Sequence, residues 1–216
     1  MKNLLIFTIV VLLCTSKLFA QDTTNSHLKY TSISWSPLYL ANYGLRFDLE
    51  LPLKNPKNKF MVAPIFNQKT DNSNTLPFEE KDEFWGIGAL VGMKHFFEGP
   101  VKENFLYLGY GCQYNYYEVT YNGVRYSQRD YYNLEVYSPE FGLHKIEMQR
   151  VTPHFIMGFQ HKSEYRFILD IYVGAGAQYI FSSNFHNLPQ KYRVITGFGY
   201  KGILPMLGAK IGVVIK

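Results

Sequence analysis

Residues Tyr165–Phe181, YRFILDIYVGAGAQYIF, decide how this chain reads. Tyr165, Phe167, Leu169, Ile171, Val173, Ala175, Ala177, Tyr179 and Phe181 fall on one side of an extended strand. Arg166, Ile168, Asp170, Tyr172, Gly174, Gly176, Gln178 and Ile180 fall on the other. Successive strand side chains point to opposite faces, so one long dry stripe is backed by a mixed, partly charged one. Rings close both ends of the dry stripe, and small aliphatic residues fill its middle. A strand that crosses a bilayer has this profile, with rings at each interface and a polar lumen behind.

Working outward, seven further segments share the period of two. They are His27–Ser36, Tyr43–Leu51, Phe60–Asn67, Phe84–Phe97, Phe105–Tyr117, Glu147–Gln160 and Gly202–Lys216. In Tyr43–Leu51 the odd positions are apolar, while Gly44, Arg46, Asp48 and Glu50 share the opposite face. Phe60–Asn67 contains Pro64, which a strand tolerates only where pairing is weak. Glycine recurs on the inner face of several segments, where a narrow barrel has least room.

The connections carry a second signal. LKNPKNK, EGPVKEN and HKSE are short; they alternate with QKTDNSNTLPFEEKDE, a stretch of about thirty residues after Tyr117, and about twenty after Phe181. Outer-membrane barrels alternate short periplasmic turns with long external loops. PLYLAN, in the first external position, is the exception. An even strand count places both termini on the periplasmic side. Tyr121-Asn122-Gly123-Val124 carries the strongest short hairpin signal and predicts a ribbon projecting beyond the membrane. Tyr116, Tyr117, Tyr121, Tyr126, Tyr131, Tyr132 and Tyr137 crowd that region. They read as a rigid hairpin above an interface girdle, in preference to a sticky contact surface. The count is eight strands, or ten if Asn122-Gly123 or Tyr192–Tyr200 adds a pair.

Composition agrees. The 216 residues include 18 Tyr, 17 Phe and 17 Gly, yet mean hydropathy is only −0.14. No apolar run of about 18 residues follows the start, which excludes a helical membrane bundle. The start itself, MKNLLIFTIVVLLCTSKLFA, has Lys2, an apolar core from Leu4 to Leu13 and a small residue at Ala20. It reads as a cleaved secretory signal over 1–20, leaving one barrel domain over 21–216. Leu13 stands where lipoprotein processing needs a small residue, so Cys14 belongs to the signal, and Cys112 remains as a small apolar residue without a disulfide partner. The net charge of +5 falls to +3 once Lys2 and Lys17 leave, with no basic stripe to suggest nucleic acid.

A charge on the lipid face near the midplane costs about 2–4 kcal/mol, so the polar residues are forced inward. Arg46, Asp48, Glu50, Arg166, Asp170 and Lys210 form the candidate lumen cluster, joined by Gln113, His154 and Gln178. An eight-stranded barrel has little room for water, so the cluster reads as a paired ionic plug; the alternative is a narrow ion path. Asp48 with Glu50 or Asp170 resembles an acid/base pair only superficially, since lumen salt bridges require the same residues. The histidines show no metal spacing, and His161 beside Ser163 falls in a predicted turn. The expectation is no enzyme, no cofactor and no metal.

Signal, strands, loop alternation and the apolar last strand together resemble the small eight-stranded outer-membrane barrel families. SISWSPLYLANYGLRFDLELPL is similar to the first hairpin of barrels common in Bacteroidota-type bacteria. The chain departs from many proteobacterial barrels by ending in Ile215-Lys216 in place of a terminal aromatic. The resemblance implies a monomeric all-β, closed antiparallel up-and-down transmembrane barrel in a Gram-negative outer membrane. Its partners would be membrane lipid and an extracellular ligand or surface partner met through the loops. Two alternatives are a small-solute or lipid-handling channel and a soluble periplasmic lipocalin-like binding barrel.

Overall fold

The computed structural model describes residues 28–69, 82–97, 103–131, 134–182 and 199–215. The strands are β1 (Ser32–Trp35), β2 (Gly44–Pro52), β3 (Asn58–Lys69), β4 (Asp82–Phe97), β5 (Asn104–Tyr131), β6 (Leu134–Lys162), β7 (Phe167–Phe181) and β8 (Gly202–Val214). Each pairs antiparallel with the next, and β1 closes on β8 through Ser32↔Val214 to Trp35↔Ile211. The closed eight-strand barrel predicted from the dyad pattern is therefore the fold. Direct pairing of β8 with β1 leaves no place in the ring for a ninth or tenth strand.

The alternation points its dry side outward. On β7, Val173 is 53% exposed while Asp170 is 1% exposed. On β2, exposed Leu45, Phe47 and Leu51 alternate with buried Arg46, Asp48 and Glu50. Apolar side chains outside and charges inside is the order found in barrels that cross a bilayer. The belt ends in rings: Trp85 and Tyr116 pack with centroids 5.7 Å apart. One step further out, Lys145 donates to Glu118 at 2.8 Å, so polar chemistry resumes at once.

Local sequence explains the irregularities. The β2–β3 ladder opens between Arg46↔Ile65 and Leu49↔Val62, beside Pro64, which has no N–H to give. The β6–β7 ladder opens likewise between Val151↔Tyr179 and His154↔Gly176, beside Pro153. Gly208 and Gly158 are needed for close approach, because a Cβ there would overlap the rings of Tyr172 and Tyr107 lying against the inner wall.

Three expectations require correction. Asn122-Gly123 is not a turn: Asn122↔Leu143 and Gly123↔Gly142 continue the β5–β6 ladder, which runs on to Tyr131↔Leu134. The projecting ribbon is present, but Asn122-Gly123 lies within its ladder, because continuous cross-strand pairing outweighs the local preference of Asn-Gly. What read as a loop of about thirty residues is mostly strand. The seventh strand begins at Phe167, since Ser163–Arg166 form its turn, with Arg166 N–H donating to Ser163 O at 3.1 Å and Ser163 N–H to Phe167 O at 2.8 Å. The PLYLAN segment is a short 3-10 helix, Pro37–Asn42, and not an open loop. The signal segment 1–20 and the loops 70–81 and 183–198 lie outside the described residues. Of Tyr192–Tyr200, only Gly199 and Tyr200 are described, and they carry no strand.

Candidate functional site: an ionic core in the lumen

β2 supplies the axis of the site. Its period of two turns Arg46, Asp48 and Glu50 inward, and two nodes form around the carboxylates. In the first node, Asp48 accepts from Arg46 Nη2 at 2.5 Å, Arg46 Nε at 3.0 Å, Lys210 Nζ at 2.8 Å and Ser36 Oγ at 3.1 Å. In the second node, Lys94 of β4 bridges Glu50 and Asp170, donating to both. Tyr107 donates to the other Asp170 oxygen at 2.6 Å. Gln160 Nε2 and Ser32 Oγ donate to Glu50 Oε2 at 3.3 and 3.5 Å. Lys59 Nζ lies 3.8 Å from Glu50 and 3.1 Å from the centroid of the Tyr30 ring.

All of these charges are sealed from solvent: Arg46 is 2% exposed, Asp170 1%, and Asp48, Glu50, Lys59, Lys94 and Lys210 0%. Burying an ion costs several kcal/mol unless it is paired and hydrogen-bonded, and every carboxylate oxygen here is engaged. Apolar side chains flank the ions on both sides. Leu28, Phe96, Phe105, Tyr107, Ile156 and Tyr172 cluster toward the short turns. Phe84, Tyr117, Val119, Tyr121, Ile146 and Met148 cluster toward the ribbon. The arrangement holds charge in place and leaves no carboxylate free to meet a substrate.

Five of the six candidate residues, Arg46, Asp48, Glu50, Asp170 and Lys210, come together in this core. Arg166 does not. It sits exposed in the Ser163–Arg166 turn at φ 67; the inward parity of the strand was extended one residue past its start. Gln113, His154 and Gln178 face inward as expected and are buried. His161 bonds Asn104 through Nδ1 at 2.7 Å rather than Ser163. Sequence reasoning passed over Lys94 and Lys59. Lys94 has the inward parity of Gly92 two residues earlier, and Lys59 stands one residue before the strand start assigned at Phe60. It also missed Tyr39, which the 3-10 helix folds back into the barrel.

Tyr39 links the ions to a polar layer above them. Its hydroxyl accepts from Arg46 Nη1 at 3.1 Å and donates to Gln113 Oε1 at 3.1 Å. Gln113 Nε2 donates to Asn115 Oδ1 at 2.5 Å, and Arg150 Nη2 donates to Asn115 Oδ1 at 3.3 Å and to the Tyr117 hydroxyl at 2.7 Å.

No family model and no curated protein sequence matches the chain, so membership of the Bacteroidota-type families stays a resemblance. Among solved structures, the chain is similar to that of Acinetobacter baumannii CarO, with a TM-score of 0.44 and 14% sequence identity over 87% of this chain and 99% of that one.

Proposed function

We propose that the chain is an integral outer-membrane β-barrel with a closed lumen, acting through the ribbon and loops at the end opposite its short turns. The observation that carries this reading is the inverted wall: apolar side chains exposed around the barrel, ions sealed within it. The start of β1, the end of β8 and the β2–β3 and β6–β7 turns share one rim, the periplasmic one in this reading, and the β5–β6 ribbon extends from the other. β4 reaches only to Tyr121 on β5, and β7 only to Gln149 on β6. Beyond those residues, among the described residues, β5 and β6 pair with each other alone. A two-stranded ribbon raised clear of the wall is suited to meeting an extracellular ligand or surface partner, with lipid as the partner of the belt and a single chain as the unit.

The filled core supports a plug over a channel, and the outward dry stripe supports a membrane barrel over a soluble lipocalin-like one. Cell fractionation with heat-modifiable gel mobility tests the first part: the protein is expected in the detergent-extracted outer membrane, and release without detergent refutes it. Planar bilayers test the second. The folded barrel is expected to give no unitary conductance, and steady openings refute closure.

A further inference from the structure

The outer wall is hollowed along the seam between β6 and β7. A cavity of about 580 Å³ lies in the apolar belt there, rimmed by Tyr110, Phe155 and Ile203 and floored by Pro153, Ala175 and Ala177. Small-molecule sites have volumes of roughly 300–1,000 Å³. The register explains the hollow. Phe155 pairs with Ala175 and Ala175 with Pro205, so a large outward side chain is followed around the wall by two small ones. Ile203 is 73% exposed and stands above Ala177, its half-buried partner.

A second hollow, of about 400 Å³, opens on the same seam nearer the ribbon. Among the described residues it is lined by Glu147, Gln149, Phe181 and Ser182. Gln149 pairs with Phe181, and Val151 with Tyr179 is the one outward pair between the two hollows. Ala175 and Phe181 are six residues apart, about 20 Å of extended strand. The upper hollow is polar: Glu147 and Gln149 are exposed, Ser182 Oγ donates to Glu147 O at 2.9 Å, and the Tyr116 hydroxyl donates to the Glu147 carboxylate. Tyr116 belongs to the ring pair that ends the belt. The upper hollow therefore stands at headgroup level and the lower one among acyl chains.

One kind of molecule fits both levels. No charged side chain lines the lower hollow. The upper one presents a carboxylate, and among the described residues no cation lies within salt-bridge distance of Glu147, since Lys145 is bridged to Glu118. An anionic headgroup is repelled there and an ammonium group attracted. Inside a bilayer an acyl chain gains nothing from leaving water, so the lower hollow offers it close dispersion contact that a smooth wall lacks.

We propose that the β6–β7 seam holds one outer-leaflet amphiphile, with an acyl chain over Pro153, Ala175 and Ala177 and an ammonium-bearing headgroup beside Glu147 and Gln149. The inference rests on the outer-membrane reading and adds to it one ordered lipid position and a headgroup charge.

The test uses the full barrel purified in detergent, with heat-modifiable mobility confirming that each variant is folded. Native mass spectrometry counts the lipid retained after addition of dimyristoylphosphatidylethanolamine or dimyristoylphosphatidylglycerol. The wild type is expected to retain one molecule and to prefer the ethanolamine lipid by about two- to fivefold, the yield of an exposed ion pair. Ala175→Phe fills the lower hollow and is expected to weaken retention of both lipids by about fivefold or more. Ala177→Leu, on the same floor, is the second filling variant. Ile171→Phe, on the same stripe outside the hollow, leaves retention unchanged, and Glu147→Gln removes the preference between the lipids. No lipid on the folded wild type, or equal losses from Ala175→Phe and Ile171→Phe, overturns the proposal and leaves the membrane reading standing. A protein that needs no detergent overturns both. A two-barrel species that is lost in Ala175→Phe, with no lipid retained, overturns the proposal in favour of a second copy in the hollow. Equal retention of the two lipids by the wild type overturns the headgroup contact.

Discussion

Replacing Lys94 by methionine removes one charge from the middle of the lumen at nearly constant side-chain length. The wild-type node is balanced, with Lys94 and Lys59 against Glu50 and Asp170. In Lys94→Met, Glu50 keeps Lys59 at 3.8 Å, but Asp170 keeps only the Tyr107 hydroxyl at 2.6 Å. Breaking one side of a buried ion pair costs about 3–5 kcal/mol, because a charge is left in low dielectric without its partner. At 1.4 kcal/mol per decade, the unfolding constant rises by between about a hundredfold and a few thousandfold. Adding Asp170→Asn removes the stranded charge and leaves Glu50 and Lys59 as a one-to-one pair. Lys94→Met/Asp170→Asn is therefore expected to recover most of the loss, with a coupling energy of about 2–3 kcal/mol. Urea unfolding in lipid vesicles, followed by the fluorescence of Trp35 and Trp85 and by gel mobility, measures both. If the single variant is as stable as the wild type to within about 1 kcal/mol, or the double loses the sum of the singles, the reasoning is refuted.

Other outcomes follow from the wall and the ribbon. Val173→Arg, in mid-belt, is expected to cost about 2–4 kcal/mol in vesicles, against about 0–1 kcal/mol for Phe181→Arg at the rim; equal and negligible losses contradict a lipid-facing β7. Gly208→Ala drives a Cβ into the Tyr172 ring and is expected to cost about 1–3 kcal/mol by overpacking, read as a lower thermal midpoint. Gly142→Ala, where nothing lies within 4 Å, serves as a control and is expected to stay within about 0.5 kcal/mol of the wild type. Excising 123–142 and rejoining the chain with a two-residue turn is expected to leave a folded, heat-modifiable barrel. Its far-ultraviolet circular dichroism should show loss of the ribbon alone, and failure to fold means that the ribbon supports the wall.

Much of the site was legible because parity is a local property. Arg46, Asp48, Glu50, Asp170 and Lys210 each alternate with apolar residues, which puts them on one face of their strands, and the closed barrel turns that face inward. Where parity reasoning failed, it failed at strand ends. Lys59 was lost because its strand was begun at Phe60, and Arg166 was admitted because its strand was begun at Tyr165. Tyr39 belongs to a helical turn, where a period of two says nothing. Asn122-Gly123 shows the converse case, a strong local turn preference overridden by twenty-eight paired positions between β5 and β6.

Sequence by itself determined which residues share a face of each strand, because a two-residue period is written in the order of the residues and needs no partner. Only the tertiary structure decided which ions meet. Lys94 reaches Glu50 from 44 residues away and Asp170 from 76, because the register between strands and the closure of the ring set which inward residues share a level.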